Sequence, residues 1–308
     1  MPQKLKPSQI PRNRSIWMAF LVMGLPMLWN LIMTLSTEFN FDLQAAKKVQ
    51  GTGYLFEFGE THWWYLSINI GTLFFPFVLS FDRRVAFYKD WRAVFRSIFL
   101  VGLFFLAWDI YFTKIGVWGF NPTYYHIVFL ELPLGEWCFF LTVPYACIFI
   151  HSCLKTYVTK DIFKKADKYL TPLLILFFVV VGILGAFKAY TNWTFLLSAG
   201  FLFWHYCYIP NTYRTRFYLT FLVSLVPFIL VNGILTGGFN QAPVVLYNNA
   251  HNLTSVLGSR FVSIPFDDFF YCFLLLMGNV TLYEYFVDSP LKPKRGNRLQ
   301  VSEDVLPK

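Results

Sequence analysis

The sequence predicts an all-α integral membrane protein with about eight transmembrane helices. Three observations predict this class: the composition, the lengths of the apolar runs and the distribution of the basic residues. Of the 308 residues, 56% are hydrophobic, 21% are aromatic and only 14% are charged, and the mean hydropathy is +0.48. A soluble globular domain has about 25% charged residues, because its surface faces water. The composition therefore excludes an ordinary soluble domain.

Eight apolar runs are long enough to cross a bilayer, whose hydrocarbon core needs about 20 mostly apolar residues per helix. The first run follows Lys4, Lys6, Arg12 and Arg14, which are the flanking charges of a secretory signal peptide. No small-x-small cleavage site comes after it, so we expect an uncleaved anchor helix. The predicted spans are 16–36, 64–81, 94–112, 137–154, 170–188, 193–210, 218–236 and 268–287.

The basic residues indicate the orientation of the spans and argue against a nucleic-acid partner. The net charge is +9, but Lys and Arg lie between apolar runs and not along one amphipathic face. With both termini on the cytoplasmic side, 21 of the basic residues fall inside and five outside, in agreement with positive-inside sorting. We therefore expect both termini in the cytoplasm and an integral protein of the bacterial inner membrane.

The chain contains an internal repeat. Residues 131–140 read ELPLGEWCFF and residues 263–272 read SIPFDDFFYC, so each has a proline between apolar residues, then an acidic position, then an aromatic run. Ahead of them, Gly119-Phe120-Asn121 and Gly238-Phe239-Asn240 each close an apolar helix. Spans two to four therefore match spans six to eight, with span five as a linker. Four crossings separate matching helices, so the repeats are parallel, and a cavity is expected at their interface.

This repeat divides the chain into five parts. They are an N-terminal anchor helix with an outer loop, a first half of three helices, a linker with one helix, a second half of three helices, and a basic cytoplasmic tail. The predicted boundaries are 1–62, 63–155, 156–190, 191–287 and 288–308.

Several chemistries lack the residues that they need. No glycine-rich dinucleotide or nucleotide motif occurs, and the five histidines are scattered singly. The five cysteines lie in apolar stretches without a CxxC spacing, which is typical of small buried side chains. We therefore predict neither a cofactor nor a metal site, and carboxylates, aromatic rings and amides remain as the reactive groups.

The acidic residues of the repeat, Glu136, Asp267 and Asp268, have two interpretations. Each follows a proline at the start of a predicted helix on the outer side, where a carboxylate stabilises the helix dipole. A single motif of this kind is most simply a helix cap. Two symmetry-related copies on one side of the membrane, in a chain with only 17 acidic residues, favour chemistry at a shared cavity.

Long stretches in both halves of the chain carry a resemblance to a known family. In the first half the stretch is WDIYFTKIGVWGFNPTYYHIVFLELPLGEWCFFLTVPYACIF (108–149). In the second half the stretches are FYLTFLVSLVPFILVNGILTGGFNQAPVVLYNNAHNL (217–253) and SIPFDDFFYCFLLLMGNVTLYEYF (263–286). Over these stretches the chain resembles membrane-type lycopene β-cyclases, which occur as a heterodimer or as a fused pair of halves. The resemblance covers roughly residues 63–287 in the order of the fused form. It implies that lycopene or another acyclic carotenoid is cyclised in the lipid bilayer without a cofactor, and it leaves a homo-oligomer open.

Three positions depart from the family pattern. The first family motif reads Pro-x-Glu-Glu, but here Gly135 replaces the first carboxylate and Glu136 keeps the second. The second motif reads Pro-x-Glu-Asp, and Asp267-Asp268 keeps both charges with one shorter arm. His251 stands where Glu is expected in an Asn-Ala-Glu-Asn stretch. Because all three changes fall at acidic positions, the resemblance predicts the fold more directly than the activity.

The reaction that the resemblance implies begins when a carboxylic acid protonates C2 of the terminal double bond of a ψ end group. The C5=C6 bond attacks the resulting cation at C1, and loss of the C6 proton leaves a β-ionone ring. This chemistry needs an acid that stays protonated near pH 7, a dry pocket and aromatic faces that stabilise the cation.

We assign the proton donor to Asp267, with Asp268 as its charge partner, because adjacent carboxylates resist double ionisation. Glu136 is the matching acid of the first half. The residues expected to orient these carboxylates or to line the cavity are Asn121, Tyr124, Trp137, Phe139, Asn240, Asn248, Asn249, Phe269, Phe270 and Tyr271.

Three further acids need partners. Asp109 lies late in the third span, where an unpaired charge is costly, so an interior position is expected. Glu131 is a candidate substitute for the carboxylate that is missing at Gly135. Glu284, at the inner end of the last span, is expected to pair with an arginine.

Two other classes of function fit the sequence. Without a carboxylate at Gly135, the cavity would close one ring only, allow water to capture the cation as in a hydratase, or bind carotenoids without turnover. Two parallel three-helix repeats with a linker helix are also the plan of small-solute carriers. A carrier of hydrophilic solutes needs polar residues at mid-span, whereas here those positions are mostly Phe, Leu and Ile.

Overall fold

A computed structural model describes residues 24–32, 34, 61–238 and 243–288 of the chain. Residues 24–32 and 34 are helical. Seven long helices and one single-turn helix follow within the other ranges. They are α1 (Trp64–Leu79), α2 (Trp91–Lys114), α3 (Leu134–Tyr157), α4 (Asp167–Leu184), α5 (Ala189–Tyr208), α6 (Asn211–Leu235), α7 (Thr254–Leu257) and α8 (Phe266–Asp288).

Seven of the eight predicted spans overlap these long helices, and the predicted first span, 16–36, lies mostly outside the described residues. Large apolar side chains stay exposed along α1, α4 and α6, as expected where lipid replaces water. The all-α membrane class is therefore confirmed. The stretches long and apolar enough to cross a membrane are Phe87–Lys114, Leu134–Tyr157, Asp167–Leu184, Asn211–Leu235 and Phe266–Val287, and α1 is a shorter apolar helix.

The helices pack as two similar trios, which confirms the internal repeat. In the first trio α1 and α2 pack on α3, and in the second α5 and α6 pack on α8. The trios interlock, because α2 also packs on α8 and α6 also packs on α3. α4 packs on α5, outside both trios. The interface between the halves is therefore formed by α2, α3, α6 and α8.

The helices α2 and α6 end in the same local structure. Gly116 and Gly237 follow them with φ angles of 77° and 84°, in the left-handed region that glycine adopts without strain. In both cases the next amide donates to the carbonyl five residues earlier, at 2.9 and 2.7 Å. This is the Schellman C-cap, and it makes Gly237 the counterpart of Gly116.

A short antiparallel strand pair joins the two halves beyond these caps. It consists of β1 (Trp118–Phe120) and β4 (Val245–Tyr247), with Gly119 opposite Leu246 at its centre. Each strand leads into a short 3₁₀ helix, which begins after Asn121 in one half and after Asn248 in the other. The side chain of each asparagine accepts a hydrogen bond of 3.2 Å from the amide two residues later. Asn121 and Asn248 are therefore equivalent.

The repeat register predicted at this point is wrong. The sequence matched Gly119-Phe120-Asn121 with Gly238-Phe239-Asn240, but the counterpart of Asn121 is Asn248. Gly116 precedes β1 by two residues, whereas Gly237 precedes β4 by eight. The longer connection in the second half shifts the alignment.

A tight hairpin precedes each acidic helix. In the first half it is formed by β2 (Val128–Phe129) and β3 (Leu132–Pro133). In the second half a single antiparallel bridge joins Phe261 to Ile264. Each hairpin ends at a proline, whose fixed φ suits the first residues of a helix. The hairpins thereby set where α3 and α8 begin.

Candidate functional site

A cavity lies between the two halves, beside the β1–β4 pair. Most of its wall is apolar or aromatic, and a few polar groups point into it. The lining residues are Tyr65, Asp109, Trp118, Phe120, Glu136, Phe139, Val143, Tyr190, Phe228, Asn232, Leu235, Val245, Tyr247, Asp268, Tyr271, Cys272 and Leu275.

Glu136 is the acid that α3 brings to the cavity. Pro133 ends the hairpin in extended backbone, and Glu136 follows in the first turn of the helix. Tyr65, on α1, donates its hydroxyl hydrogen to Oε2 of Glu136. The glutamate is buried, with 7% of its surface exposed. Helix packing thus places one carboxyl group with one hydroxyl donor inside an apolar wall.

Asp268 is the acid that α8 brings to the same cavity. Tyr190 donates to Oδ1 at 2.7 Å, and Oδ2 accepts from Nδ2 of Asn232 at 2.7 Å and from the hydroxyl of Tyr247 at 2.8 Å. Burial and the nearby Asp268 raise the pKa of Tyr247 well above its usual value, so that its hydroxyl remains a donor. Three donors therefore surround a fully buried carboxyl group.

The two acids occupy equivalent places in the repeat. Glu136 is the third residue of α3 and Asp268 is the third residue of α8. Their partners Tyr65 and Tyr190 are the second residues of α1 and α5. The halves differ in the remaining donors, because Phe120 occupies the place in β1 that Tyr247 occupies in β4. The site is therefore symmetric in its acids and asymmetric in the groups that hold them.

Asp109 is a third acid on the cavity wall, as its expected interior position suggested. It lies near the end of α2 and is 4% exposed. Its Oδ2 atom has no hydrogen-bond partner within the described part of the chain. Glu136 lies close enough for the two carboxyl groups to interact electrostatically. Glu136 thus has a second carboxyl group beside it. This group belongs to Asp109 on α2 and not to residue 135, where the family pattern has a glutamate.

Aromatic rings enclose the space between the acids. The ring of Tyr271 lies 5.1 Å from that of Phe105 and 5.2 Å from that of Trp108, measured between centroids. Tyr190 stacks on Tyr247 at 6.0 Å. The cavity thus presents ring faces and edges to any occupant, which suits the stabilisation of a carbocation.

Asp267 has a different environment from that expected of a proton donor. Its Oδ1 accepts from Oγ1 of Thr191 at 2.6 Å, and its Oδ2 accepts from the amide of Leu253 at 2.8 Å. The residue is fully buried but is not part of the cavity lining. Its carboxyl group connects α5 and the loop before α7 to the start of α8, as a structural cap does.

The polar and aromatic residues expected at the substrate have mostly other positions. Phe139 and Tyr271 line the cavity as expected. Asn121 donates to the carbonyl of Pro243, and Asn248 donates to the carbonyl of Gly116. These asparagines thus hold the loops beside the strand pair. Four aromatic residues and one asparagine also lie outside the lining, namely Tyr124, Trp137, Phe269, Phe270 and Asn249, and Asn240 is outside the described residues.

Gly135 has a packing role that the sequence did not suggest. A Cβ at this position would overlap the ring of Tyr65, whose Cδ1 lies 2.5 Å from the ideal Cβ site. The carbonyl of Gly135 also accepts a hydrogen bond from Nδ2 of Asn69 at 2.9 Å. The absence of a side chain lets α1 approach α3, and this approach brings Tyr65 to Glu136.

The remaining acids correct two expectations. Glu131 is exposed at the tip of the first hairpin and does not substitute for a carboxylate in the cavity. Glu284 pairs with Lys155, at 2.7 Å to both oxygens, and with Nε2 of His151 at 2.7 Å, and not with an arginine. Both partners of Glu284 lie at the end of the bundle away from the cavity.

Sequence reasoning missed four of the polar groups at the site: Tyr65, Tyr190, Asn232 and Tyr247. The tyrosines at the second positions of α1 and α5 carry a signal, because they recur at matching places of the repeat. Among the described residues, no group of three or more His, Cys, Asp or Glu side chains is arranged to hold a metal ion.

Comparison with known proteins identifies the family of the chain. The family model described as lycopene cyclase matches residues 62–154 and 187–286. The two matched regions contain the two helix trios and both acids of the cavity. No curated protein and no solved structure matches the chain.

Proposed function

The chain belongs to the lycopene cyclase family, and we propose that it is a lycopene β-cyclase that closes the ψ end groups of lycopene into β-ionone rings. One observation carries this proposal. Two buried acids, Glu136 and Asp268, come from equivalent positions of the two halves and line one aromatic cavity. Acid-initiated cyclisation needs a proton donor, a proton acceptor and a dry aromatic wall, and this cavity has candidates for each.

We propose Glu136 as the proton donor and Asp109 as its charge partner. All three hydrogen bonds of Asp268 come from donors, and an ionised carboxylate is the form that accepts only. Glu136 receives a single hydroxyl donor, and Oδ2 of Asp109 has no partner within the described residues. Two neighbouring carboxyl groups withdrawn from water favour a state in which one of them holds a proton.

The proposed reaction uses these groups in sequence. Glu136 transfers its proton to C2 of the terminal double bond, and the positive charge appears at C1. The C5=C6 bond then attacks C1, which closes the ring and moves the charge to C5. The carboxylate of Asp268 removes the proton from C6. One proton is added and one is lost, so the product is an isomer of the substrate and no cofactor is consumed.

The wall of the cavity protects the cation. Trp118, Phe120 and Tyr271 place aromatic rings beside the acids, where they stabilise positive charge without reacting with it. Water would capture the cation as an alcohol, so an apolar enclosure directs the reaction towards ring closure. A cavity that admits water would instead give the hydratase activity that is our second candidate.

We also propose that both termini are cytoplasmic and that the cavity lies towards the outer side of a bacterial inner membrane. The end of the bundle away from the cavity contains the pairs Lys155–Glu284, at 2.7 Å, and Arg214–Asp167, at 2.5 Å. Basic residues concentrate at that end, which agrees with positive-inside sorting. We also propose the division of the chain into the five segments predicted from the sequence.

Pigment chromatography from lycopene-producing cells that express this chain tests the proposal. We expect γ- or β-carotene to appear. A hydroxylated acyclic product would indicate a hydratase, and a single-ring product alone would indicate a monocyclase. Unchanged lycopene beside abundant membrane-inserted protein would contradict the proposal, and uptake of labelled sugar by proteoliposomes would then support a carrier.

A further inference from the structure

The two helices α3 and α6 are joined at one end and parted by the cavity towards the other. At the end away from the cavity, Nδ1 of His151 lies 2.7 Å from Oγ1 of Thr220. Further along, Phe139 and Val143 on α3 and Phe228 on α6 line the cavity. We call this line of contact between the two helices the α3–α6 seam. Side chains that line the cavity form its outer half.

The corresponding seam between α2 and α8 is filled. The rings of Phe105 and Trp108 on α2 pack against Tyr271 on α8. Trp193 on α5 covers the same region, with its ring 5.6 Å from Trp108 and its indole nitrogen donating to Oγ1 of Thr34 at 3.0 Å. Trp193 is the fifth residue of α5, and the fifth residue of α1 is the smaller Ile68. Among the described residues, an indole ring therefore covers the α2–α8 seam at a position where the first half has the smaller Ile68.

The open seam leads towards the lipid-facing surface. The ring of Phe228 lies 5.1 Å from that of Phe269, which lies 5.7 Å from that of Phe261 in the second hairpin. Phe261 is 44% exposed, and Val226, two residues before Phe228, is 74% exposed. A continuous apolar surface thus runs from the cavity wall to side chains that lipid must cover.

The size of the cavity sets a condition on any carotenoid that binds there. A rigid acyclic carotenoid is about as long as the bilayer core is thick, ~30 Å. The cavity is far smaller than such a molecule, so it can take one end group at most and not the whole polyene. The rest of the chain must pass through an apolar opening, and it remains soluble in the bilayer.

We propose that the outer half of the α3–α6 seam is the entrance through which one end group of an acyclic carotenoid passes from the bilayer, with the polyene held against Val143 and Phe228. This inference rests on the proposed function for the identity of the ligand. It adds two residues that determine access and one consequence. Because one seam is open, the two ends of a substrate are processed one after the other, with release between them.

Narrowing the seam tests the entrance. Val143→Trp fills the gap from α3, and Val226→Trp adds the same ring to the lipid-facing side of α6. Two quantities are measured for each variant: lycopene that co-purifies per mole of protein, and its conversion to cyclic product. We expect Val143→Trp to lower both quantities by about tenfold or more, because the indole ring would block the open seam. Val226→Trp should stay near the parent value.

A second variant separates blockage from misfolding. Val143→Cys protein is purified, treated with an alkyl methanethiosulfonate and then reduced, with the parent protein as the control for the native cysteines. We expect bulky alkylation to lower bound lycopene and reduction to restore it. Two results would contradict the proposed entrance. One is equal lycopene binding before and after modification, and the other is an equal loss of bound lycopene in the two Trp variants.

The two measurements also distinguish this proposal from the proposed function. Parent protein that binds lycopene without converting it contradicts the cyclase function. In that case the amount of lycopene bound by Val143→Trp, compared with Val226→Trp, still tests the seam. Parent protein that converts lycopene while Val143→Trp does so equally well contradicts the seam alone. Parent protein that neither binds nor converts lycopene contradicts both.

Discussion

Tyr65 and Tyr190 occupy the second positions of α1 and α5, and each donates its hydroxyl hydrogen to the acid at the third position of a helix in its own half. The pairs Tyr65–Glu136 and Tyr190–Asp268 are therefore copies of one arrangement. Asp268 has two more donors, Asn232 and Tyr247, whereas Glu136 has no donor besides Tyr65 within the described residues. This difference gives the two acids different proposed roles.

Removal of the two hydroxyl groups should have unequal effects. Tyr65→Phe takes away the single hydroxyl donor of Glu136, so we expect cyclisation to fall by about tenfold, equivalent to about 1.4 kcal/mol in the barrier. Tyr190→Phe leaves Asp268 with Asn232 and Tyr247, and a smaller fall is expected. Initial rates in membranes, normalised to protein content, measure both variants. A larger loss for Tyr190→Phe would contradict the assigned roles.

Gly135 should tolerate no side chain. Gly135→Ala places a Cβ in the ring of Tyr65, and overpacking of this kind costs about 1–3 kcal/mol in the free energy of unfolding. Gly102→Ala is the matched control, because a Cβ there meets nothing within 4 Å and alanine favours the helix. Thermal unfolding in detergent compares the two variants. Gly135→Glu should lower the yield of folded protein further, and normal stability of Gly135→Ala would contradict this packing.

Asp267→Asn distinguishes the sequence-based assignment from the geometric one. The sequence predicts that this change abolishes cyclisation without affecting membrane expression. The positions of Thr191 and Leu253 predict a loss of stability of about 1–3 kcal/mol, because an amide cannot accept from both donors as a carboxylate does. We expect turnover per folded molecule to persist. A complete loss of turnover with unchanged stability would instead support Asp267 as the proton donor.

His251 should make stability depend on pH. Burial, together with the nearby Lys188, lowers the pKa of this histidine from 6.5 to about 4. Its contribution is fully present above pH 6.5 and is lost as the pH falls towards 4, because the unfolded chain binds a proton that the folded chain does not. Thermal unfolding across this interval measures the effect. His251→Gln should flatten the dependence, whereas the exposed His126→Gln should leave it unchanged.

The sequence predicted the helices because lipid requires long apolar runs, and such runs are visible without any tertiary information. The repeat and the buried position of Asp109 were also predictable, since an unpaired acid in lipid is costly. The acids of the cavity were found through the proline-acid pattern of the repeat. These features depend on local composition and spacing, which a sequence displays directly.

The partners of those acids were not predictable in the same way. Tyr65 is 71 residues from Glu136 and Tyr190 is 78 residues from Asp268, so helix packing alone brings them together. Neither the neighbours of Asp267 nor the space needed at Gly135 can be read from local spacing. The asparagine match failed because the second half has a longer connection before its strand. The donor set and the shape of the site therefore required the fold.

Conversion of lycopene by Glu136→Gln protein tests the central claim most directly. Glu131→Gln is the matched control, because Glu131 is exposed in the hairpin before the same helix and lies outside the cavity lining. General acid catalysis contributes about 10²–10⁴-fold, so we expect at least a hundredfold loss of β-ring product for Glu136→Gln and none for Glu131→Gln. Wild-type pigment yield from well-expressed Glu136→Gln protein would contradict the account.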